Sequence, residues 1–341
     1  MFPGKPEGFH TEHLSLTLPY RKDLLTKDTL SIGTRGSALA LWQAGWVKTQ
    51  LKGRYPQFDF KLVKIKTTGD KTHDVPLTQV GGKGVFVKEI EEALIKNKID
   101  LAVHSLKDVP TFLPQELMLS VIPKRENPFD ALISREGKLL EELPVYARLG
   151  TSSLRRQAQL LNLRPDFKIE TLRGNLDTRI KKLETEKLDG IIIAAAGVIR
   201  MGWEGKITQY LDSAKFLPAI GQGALGIETR RDDRATNEIV AFLHHSDTAY
   251  CVCAERSFLK RLEGGCQVPI AALGKITNST LFLEGLISSL DGKKIIRDMI
   301  EGNPQEAEKI GLLLAEKILN VGGNAILDKI YRTTEEKRTC A

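Results

Sequence analysis

The sequence contains few cysteines, no long apolar run and no dense block of arginines. Its four cysteines, at positions 251, 253, 266 and 340 of 341 residues, make no disulfide framework in a protein of this size. Cys251 and Cys253 form a C-x-C pair, and no cluster of histidines and cysteines completes a tetrahedral metal site. We therefore predict no bound metal and interpret Cys251, Cys253 and Cys340 as buried or incidental thiols.

The longest uncharged apolar run, residues 190–199, has ten residues and is too short to cross a bilayer. Residues 1–28 lack an apolar signal core and carry acidic side chains, which is typical of a polar extension rather than a targeting peptide. With 41% hydrophobic and 27% charged residues, the composition is that of a soluble globular protein of two or three domains. We expect a cytoplasmic protein without a membrane partner.

The net charge of +7 and the isoelectric point near 9.1 favour an acidic partner. The sequence has no helix-turn-helix element, aromatic RNA-binding signature or zinc motif, so we predict no nucleic-acid partner. Arginines instead stand singly or in pairs at predicted turns, which favours convergence of their forked donors on a small polyanion. The arginines concerned are Arg35, Arg155, Arg156, Arg173, Arg179 and Arg200.

Strand-like and helix-like segments alternate over the first 240 residues, which predicts an α/β protein with mostly parallel sheets. The predicted strands are residues 29–34, 58–67, 99–105, 130–134, 148–153, 167–174 and 189–197, and the predicted helices are residues 37–53, 86–98, 154–163 and 175–187. Breaks rich in proline or glycine at 123–130 and 216–233 indicate domain boundaries. After residue 244, three strand-like runs and a helix over 306–323 predict an α+β unit with an antiparallel sheet.

Several unusual loops follow predicted strands, which is where open α/β sheets bind ligands. The loop "GTSSLRR" (150–156) joins a strand to a helix N-terminus, and its hydroxyls and two guanidiniums predict an anion site. The alternative is that the hydroxyls only cap the helix.

In "HSLKDVP" (104–110), Asp108 stands beside Lys107 at the end of a predicted strand. Inside a positive cleft this carboxylate would stay ionised, and it could stabilise a developing cation or carry a proton. The alternative is an aspartate that caps the turn before Pro110.

A third loop, "RLEGGCQVPIAALG", surrounds Cys266 with glycines and ends on a proline. Gly264 and Gly265 permit backbone angles that other residues avoid, and Pro269 stiffens the exit. The segment should therefore form a tight turn that presents one sulfur. The local residues leave open whether that thiol is a structural filler, a nucleophile or an attachment point.

Eleven motifs occur in order along the chain: "GTRGSALALWQA", "KTTGDK", "GGKGVFVKE", "AVHSLKDVPT", "KRENPFDA", "GTSSLRRQAQL", "LRGNLDTR", "AGVIRMGW", "PAIGQGALGIE", "AERSFLKRLEGGCQVPIAA" and "GLLLAEKIL". With these motifs, the chain resembles the porphobilinogen deaminase (hydroxymethylbilane synthase) family over roughly residues 29–330. The resemblance implies two periplasmic-binding-protein-like (type II) α/β domains and a smaller α+β C-terminal domain. The implied division is an extension 1–28, domain 1 over 29–125 plus 221–243, domain 2 over 126–220, and domain 3 over 244–341, which carries Cys266.

The resemblance also implies the activity. Four porphobilinogen molecules are joined head to tail, each losing ammonia, and water then releases 1-hydroxymethylbilane for porphyrin and heme biosynthesis. The family's cysteine in this position carries a dipyrromethane cofactor through a thioether, so Cys266 would be an anchor rather than a turnover nucleophile. The family also implies a monomer.

The implied site residues follow the motifs. Asp108 would be the catalytic carboxylate, and Lys83 would lie on a mobile loop over the cleft. The implied cofactor-binding residues are Cys266, Ser105, Lys107, Asp108, Thr151, Ser153, Arg155, Arg156, Arg173, Gly174 and Gly197. The implied substrate-binding residues are Arg35, Gln43, Arg173, Arg179 and Arg200.

Three rival functions are set against this reading. A bilobal solute-binding or effector-sensing module for a polycarboxylate would explain the arginines but would leave Asp108 and Cys266 idle. A nucleic-acid binder is favoured by net charge alone. A hydrolase pairing Cys266 with His104 lacks an evident third residue to orient the histidine.

Overall fold

The computed structural model describes residues 28–71, 87–262 and 268–339. The strands in these ranges are β1 (Thr29–Thr34), β2 (Asp59–Lys64), β3 (Leu101–Ser105), β4 (Leu117–Val121), β5 (Asp130–Ser134), β6 (Arg148–Gly150), β7 (Lys168–Glu170), β8 (Gly190–Ala194), β9 (Gln209–Leu211), β10 (Leu225–Arg230), β11 (Ile270–Thr277), β12 (Thr280–Ser288) and β13 (Ile295–Gly302). The α-helices are α1 (Ala38–Arg54), α2 (Thr68–Lys71), α3 (Lys88–Ile95), α4 (Leu154–Leu163), α5 (Leu176–Thr185), α6 (Ala195–Arg200), α7 (Arg234–Val240), α8 (Ser246–Arg261), α9 (Ala307–Ile318) and α10 (Asn324–Thr339).

The first sheet has the strand order β2-β1-β3-β10-β4. Strand β1 pairs in parallel with β2 and β3, whereas β10 is antiparallel to both β3 and β4. Four strands therefore run one way and one runs against them. Helix α1 covers one face because Ala44, Val47 and Leu51, at helical spacing, pack into the same apolar cluster as Ile32 and Phe60.

The second sheet repeats this plan with the order β7-β6-β8-β5-β9. Here β5 is the reversed strand, antiparallel to β8 and β9, while β6 pairs in parallel with β7 and β8. Strand β5 follows β4 of the first sheet, and β10 follows β9 of the second sheet. The reversed strand of each sheet is therefore the strand that the chain forms directly after it crosses over from the other sheet. Two sheets of this order, each with one reversed strand beside its edge, are the type II periplasmic-binding-protein arrangement, and the predicted fold class is confirmed.

Two crossover segments, residues 122–129 and 212–224, connect the sheets and bind each other. The Arg125 Nε donates to the Gln222 carbonyl at 2.7 Å, and the Glu126 amide donates to the Gly223 carbonyl at 3.1 Å. Gly223 has φ +85°, and a Cβ there would lie 2.4 Å from the Glu126 carbonyl oxygen. Only glycine permits this close approach.

The third sheet is antiparallel, with the order β11-β12-β13, as the sequence predicts. Helices α8 and α9 cover it, and Phe258, Leu283 and Leu314 are fully buried between them. By length and composition alone, residues Pro304–Arg332 could cross a membrane, but half of the apolar window is buried inside the protein. Non-helical angles at Val321 and Gly322 also separate α9 from α10.

The last strand predicted for the second sheet is shorter than expected. Strand β8 ends at Ala194, and α6 begins at Ala195, whereas the prediction extended the strand to residue 197. Alanine has the highest helix propensity, and the run from Ala194 to Ala196 carries no glycine, proline or polar residue to mark the change. The domain boundaries given above remain a prediction.

Candidate active site

A cavity of about 310 Å³, including space open to solvent, lies between the first and second sheets. It is lined by residues from α1, β3, β8, α6 and the second crossover: Leu39, Gln43, Ser105, Lys107, Ala194, Ala196, Gly197, Arg200, Gly223 and Ala224. The carboxyl ends of β3 and β8 meet here, where α/β sheets present ligand-binding loops. Five of the residues predicted for the site therefore line one cavity: Gln43, Ser105, Lys107, Gly197 and Arg200.

The first sheet contributes a polar pair and a short turn. Gln43 Nε2 donates to Ser105 Oγ at 2.9 Å, which ties α1 to the end of β3. A single 3₁₀ turn, Leu106–Asp108, follows directly and carries Lys107 and Asp108. Its backbone is fixed because the Leu106 amide donates to the Ala224 carbonyl at 3.0 Å.

Lys107 reaches solvent in the cleft, yet protein surrounds it on most sides. Burial lowers the pKa of its ammonium group to about 8, although the neighbouring Asp108 acts to raise it. Arg156 and Arg179 lower the pKa further, so these three cations converge from the two sheets on one volume. Such a volume favours an anionic ligand.

Asp108 is exposed to the cleft, and within the described ranges its carboxylate has no hydrogen-bond partner. The alternative of a turn-capping aspartate is therefore not seen, because the backbone bond of the turn runs from the Val109 amide to the Leu106 carbonyl. Across the cleft, burial lowers the pKa of Arg179 and the charge of Asp108 acts against that change. The carboxylate thus faces cations without being bound to one.

The second sheet contributes Arg155 and Arg156, and the buried carboxylate of Asp130 binds both guanidiniums. Arg155 Nη1 donates to Asp130 Oδ2 at 2.7 Å, and Arg156 Nε donates to Asp130 Oδ1 at 2.9 Å. Burial alone would raise the pKa of Asp130, but the two guanidiniums lower it to about 2. Gln222 completes the set, since its Nε2 donates to Asp130 Oδ1 at 3.1 Å.

The two arginines differ in the donors they have left. Arg156 Nη1 also donates to the Ile192 carbonyl at 2.8 Å, and burial lowers its pKa to about 10. Arg155 Nη1 also donates to the Leu217 carbonyl at 2.7 Å, but its Nε is buried and has no partner among the described residues. A buried donor of this kind is where a ligand oxygen would be expected to bind.

The other predicted arginines lie at the ends of their elements. Arg179 Nε donates to the Gly174 carbonyl at 2.7 Å, and Arg200 Nη2 donates to the Gly223 carbonyl at 2.8 Å. Burial lowers the pKa of Arg200 to about 10, against the effect of Glu126. Arg173 is half-buried before α5, and Arg35 is half-buried between β1 and α1.

The helix N-terminus predicted as an anion site is capped by its own serine. Ser153 Oγ accepts from the Arg156 amide at 3.4 Å, and Thr151 Oγ1 accepts from the Ser153 amide at 3.2 Å. The capping alternative therefore describes what these hydroxyls do here, and ligand binding by Thr151 and Ser153 remains a prediction.

Of the two predicted glycines, the backbone requires glycine at Gly174, which has φ +107°, a left-handed conformation that other residues rarely adopt. At Gly197 on α6, a Cβ would make ordinary contact with Leu39 of α1 at 3.4 Å, so α6 and α1 are close at this point.

Two predicted residues, Cys266 and Lys83, lie outside the described ranges. Cys340, interpreted as incidental, also lies outside these ranges. The other two thiols interpreted in this way, Cys251 and Cys253, are described. Burial raises the pKa of Cys251 to about 12 and that of Cys253 to about 11, so both stay protonated and unreactive.

The histidine considered for a hydrolase has another partner. His104 Nε2 lies 2.9 Å from Glu228 Oε2, and both side chains are buried beneath the sheet. A histidine held in this way is unsuited to activate a thiol as a nucleophile.

Sequence reasoning missed Asp130 and Gln222, which orient the arginine pair. Asp130 carries no local signal, because its partners are 25 and 26 residues further along the chain. The only available pointer was its place at the start of a predicted strand immediately after a crossover.

Fold and site together define a class: a bilobal type II protein whose inter-sheet cleft is lined by guanidiniums and carries one uncommitted carboxylate. The family model described as "Porphobilinogen deaminase, dipyromethane cofactor binding domain" matches residues 30–238, and that of the "Porphobilinogen deaminase, C-terminal domain" matches residues 249–320. The chain belongs to the porphobilinogen deaminase family.

Relatives cover nearly the whole described chain. Proteins named porphobilinogen deaminase from Trichlorobacter lovleyi and Geotalea daltonii are each 57% identical over 303 residues, which is 89% of this chain and 97% and 95% of those relatives. The same protein of Syntrophobacter fumaroxidans is 51% identical over 308 residues, 90% of this chain and 100% of the relative. Among solved structures, the methionine-binding protein MetQ matches with a TM-score of 0.40 and 16% identity over 67% of this chain and 95% of that chain, which is too low to carry an argument.

Membership confirms the predicted activity. The chain is a transferase that condenses porphobilinogen into hydroxymethylbilane for tetrapyrrole biosynthesis, and its cofactor is dipyrromethane. The non-catalytic binding module is not favoured. The cleft also fits the cofactor chemically, because guanidinium, ammonium, amide and hydroxyl donors line the cavity. In addition, the buried Arg155 Nε has no partner among the described residues.

Proposed function

We propose that Asp108 is the carboxylate that carries out the condensation. The observation that supports it is an exposed carboxylate that makes no hydrogen bond within the described ranges while it faces Lys107 and Arg179. A group already committed to a structural hydrogen bond would be poorly suited to receive a proton in each cycle.

Each condensation needs charge stabilisation and one proton transfer. When the aminomethyl carbon of porphobilinogen loses ammonia, the remaining fragment carries a positive charge, which the Asp108 carboxylate stabilises electrostatically. A carbon–carbon bond then forms to the terminal pyrrole, and Asp108 accepts the proton that this pyrrole carbon loses. After four condensations, the bond between the methylene of the first porphobilinogen unit and the pyrrole carbon that it joined would break. That pyrrole carbon would take up a proton, and water would add to the released methylene with loss of a proton to give the hydroxymethyl product.

We propose that the remaining predicted residues bind the acetate and propionate groups of the pyrroles. Their guanidinium, ammonium, amide and hydroxyl groups are donors that match carboxylate oxygens. The substrate side would use Arg35, Gln43, Arg173, Arg179 and Arg200, and the cofactor side would use Ser105, Lys107, Thr151, Ser153, Arg155, Arg156, Arg173, Gly174 and Gly197.

We propose that Cys266 holds the dipyrromethane through a thioether. When bound, this group would supply the terminal pyrrole carbon to which the first unit is joined, and each later unit would join the one added before it. Its fixed end keeps the growing chain in the cleft, and the lysine loop around Lys83 would cover it. We further propose a cytoplasmic monomer without nucleic-acid or membrane partners, in keeping with a biosynthetic family whose substrate is a small molecule.

The test compares two variants with a surface control. Asp108→Ala should yield folded protein that retains the covalent pyrrole mass in intact-protein mass spectrometry but is nearly inactive. Cys266→Ala should lose that mass and the colour with acidic dimethylaminobenzaldehyde. Asp232→Ala, at an exposed turn after β10, should match the parent in both measurements. Turnover by Asp108→Ala near the parent rate would refute the catalytic role, and persistence of the mass in Cys266→Ala would move the anchor elsewhere.

A further inference from the structure

One face of α8 lies against the segment that follows Asp108. Ala249, Val252, Arg256 and Lys260 are three or four residues apart on the helix, so they form one stripe. Ala249 and Val252 pack into the same apolar cluster as Leu106 and Val109. Further along the stripe, Lys260 Nζ lies 5.2 Å from the centre of the Phe112 ring.

Arg256, in the middle of this stripe, binds two successive backbone carbonyls. Its Nη1 donates to the Val109 carbonyl at 2.9 Å, and its Nη2 donates to the Pro110 carbonyl at 2.5 Å. Burial lowers the pKa of Arg256 to about 10, so the guanidinium is still charged at neutral pH. Two hydrogen bonds from one planar guanidinium to successive carbonyls fix the direction of the backbone at this point.

The second crossover supports the other side of the same turn. A Cβ on Gly221 would lie 3.3 Å from the Lys107 amide nitrogen, so the crossover backbone sits directly against the turn. The Gly221 amide donates to Glu255 Oε2 at 2.7 Å, and Glu255 precedes Arg256 on α8. Two neighbouring residues of one helix thus hold the crossover and the exit of the turn.

The same helix leads toward the cofactor cysteine. Helix α8 ends at Arg261, five residues before Cys266 in the sequence. The helix that precedes the anchor is therefore the one that binds the backbone beside Asp108.

We propose that Arg256 is a positioning residue that fixes the Asp108 turn relative to the helix leading to the cofactor cysteine. The inference rests on the proposed role of Asp108. Arg256 acts through Asp108 and makes no contact with the reacting atoms. Its loss should lower the rate of condensation, because small displacements of a catalytic group reduce rates strongly.

The experiment measures kcat and KM per molecule that carries the covalent cofactor mass. Arg256→Gln should lower this kcat by about tenfold while KM and the cofactor mass stay as in the parent. Arg256→Lys, which keeps the charge and can reach one carbonyl, should recover part of the loss. Arg261→Gln on the same helix is the matched control, since Arg261 pairs with Glu316 at 2.6 Å on a partly exposed face, and it should match the parent.

A merely structural role would lower the amount of loaded protein and leave its kcat unchanged. A kcat for Arg256→Gln within twofold of the parent would overturn the proposal, as would folded variant lacking the cofactor mass. If Arg256→Gln does not fold, the same comparison is made with Arg256→Lys, for which a kcat equal to that of the parent overturns it. Turnover by Asp108→Ala near the parent rate would instead contradict the proposed function, independently of the result for Arg256→Gln.

Discussion

The two walls of the cleft each place an aspartate near arginines, but they use it in opposite ways. On the second-sheet wall, Asp130 is fully buried and binds Arg155 and Arg156. On the first-sheet wall, Asp108 is exposed, and the described residues supply its carboxylate with no hydrogen bond. Asp130 thus orients the guanidiniums that are proposed to bind ligand. The carboxylate of Asp108, which is proposed to react, makes no hydrogen bond within the described ranges. The same residue type serves orientation or chemistry according to how its oxygens are already occupied.

The sharpest test of this contrast replaces Asp130 with asparagine. Asp130→Asn leaves two buried guanidiniums without a counter-charge, so the free energy of unfolding should fall by about 3–5 kcal/mol. Urea unfolding followed by circular dichroism gives this value. Asp298→Asn is the control, because Asp298 pairs with Lys317 at the surface at 2.8 Å and should cost less than about 1 kcal/mol. Equal losses in the two variants would contradict the buried role of Asp130.

Replacing Asp108 with asparagine on the first-sheet wall should lower the rate of the reaction rather than the stability of the fold. Asp108→Asn should lower kcat by about 100-fold, or about 2.7 kcal/mol in activation free energy, because the amide can neither accept the proton nor stabilise a cation as an anion does. Its free energy of unfolding should stay within about 0.5 kcal/mol of the parent value. A variant that loses stability but keeps its kcat would reverse the assignment of the two aspartates.

The pH dependence of the free energy of unfolding gives a further test of the buried role of Asp130. The folded state lowers the pKa of Asp130 from its ordinary 3.8 to about 2, so its contribution is fully present above pH 3.8 and is lost as pH falls through about 2. The contribution is about 2.5 kcal/mol. Between pH 5 and pH 2.5, the parent should therefore lose more stability than Asp130→Asn does. Parallel curves for the two proteins would be the contrary result.

The smallest expected effect concerns Lys107. With its pKa lowered to about 8, Lys107 is charged below that pH and loses its charge above it, so carboxylate binding should weaken between pH 7 and pH 9. The KM for porphobilinogen of Lys107→Arg should rise less over this range, because arginine stays charged. The ratio of the two KM values, parent to variant, cancels the titration of the substrate and should increase about threefold. A constant ratio would show that the charge of Lys107 does not contribute to carboxylate binding in the cleft.

The sequence predicted elements whose signals are local. Strands β1 and β5 and helix α4 have the predicted bounds, because β1 and β5 are short strand-like runs and Ser153 caps the start of α4. Ser105, Lys107 and Asp108 could also be predicted from the sequence, since they lie at the end of a recognisable strand.

The contacts that orient the site were not accessible from the sequence. Arg256 reaches Val109 across 147 residues, and Gln222 reaches Asp130 across 92, so their pairing exists only in the fold. The end of β8 was missed for a different reason, because the alanines at 194–196 continue an unbroken apolar run in which their helix propensity is the one local sign of the change. Cys266 and Lys83, which the sequence singled out, lie outside the described ranges.

The reversed strand β10 also sets an order of assembly on the ribosome. It is the only link between β3 and β4 in the first sheet, yet it is made after every strand of the second sheet, which spans Asp130 to Leu211. During synthesis, the first sheet therefore stays incomplete while the second sheet can already form. A nascent chain halted just after Leu211 would expose the unpaired edges of β3 and β4, and this is the point in synthesis at which a chaperone would be needed most.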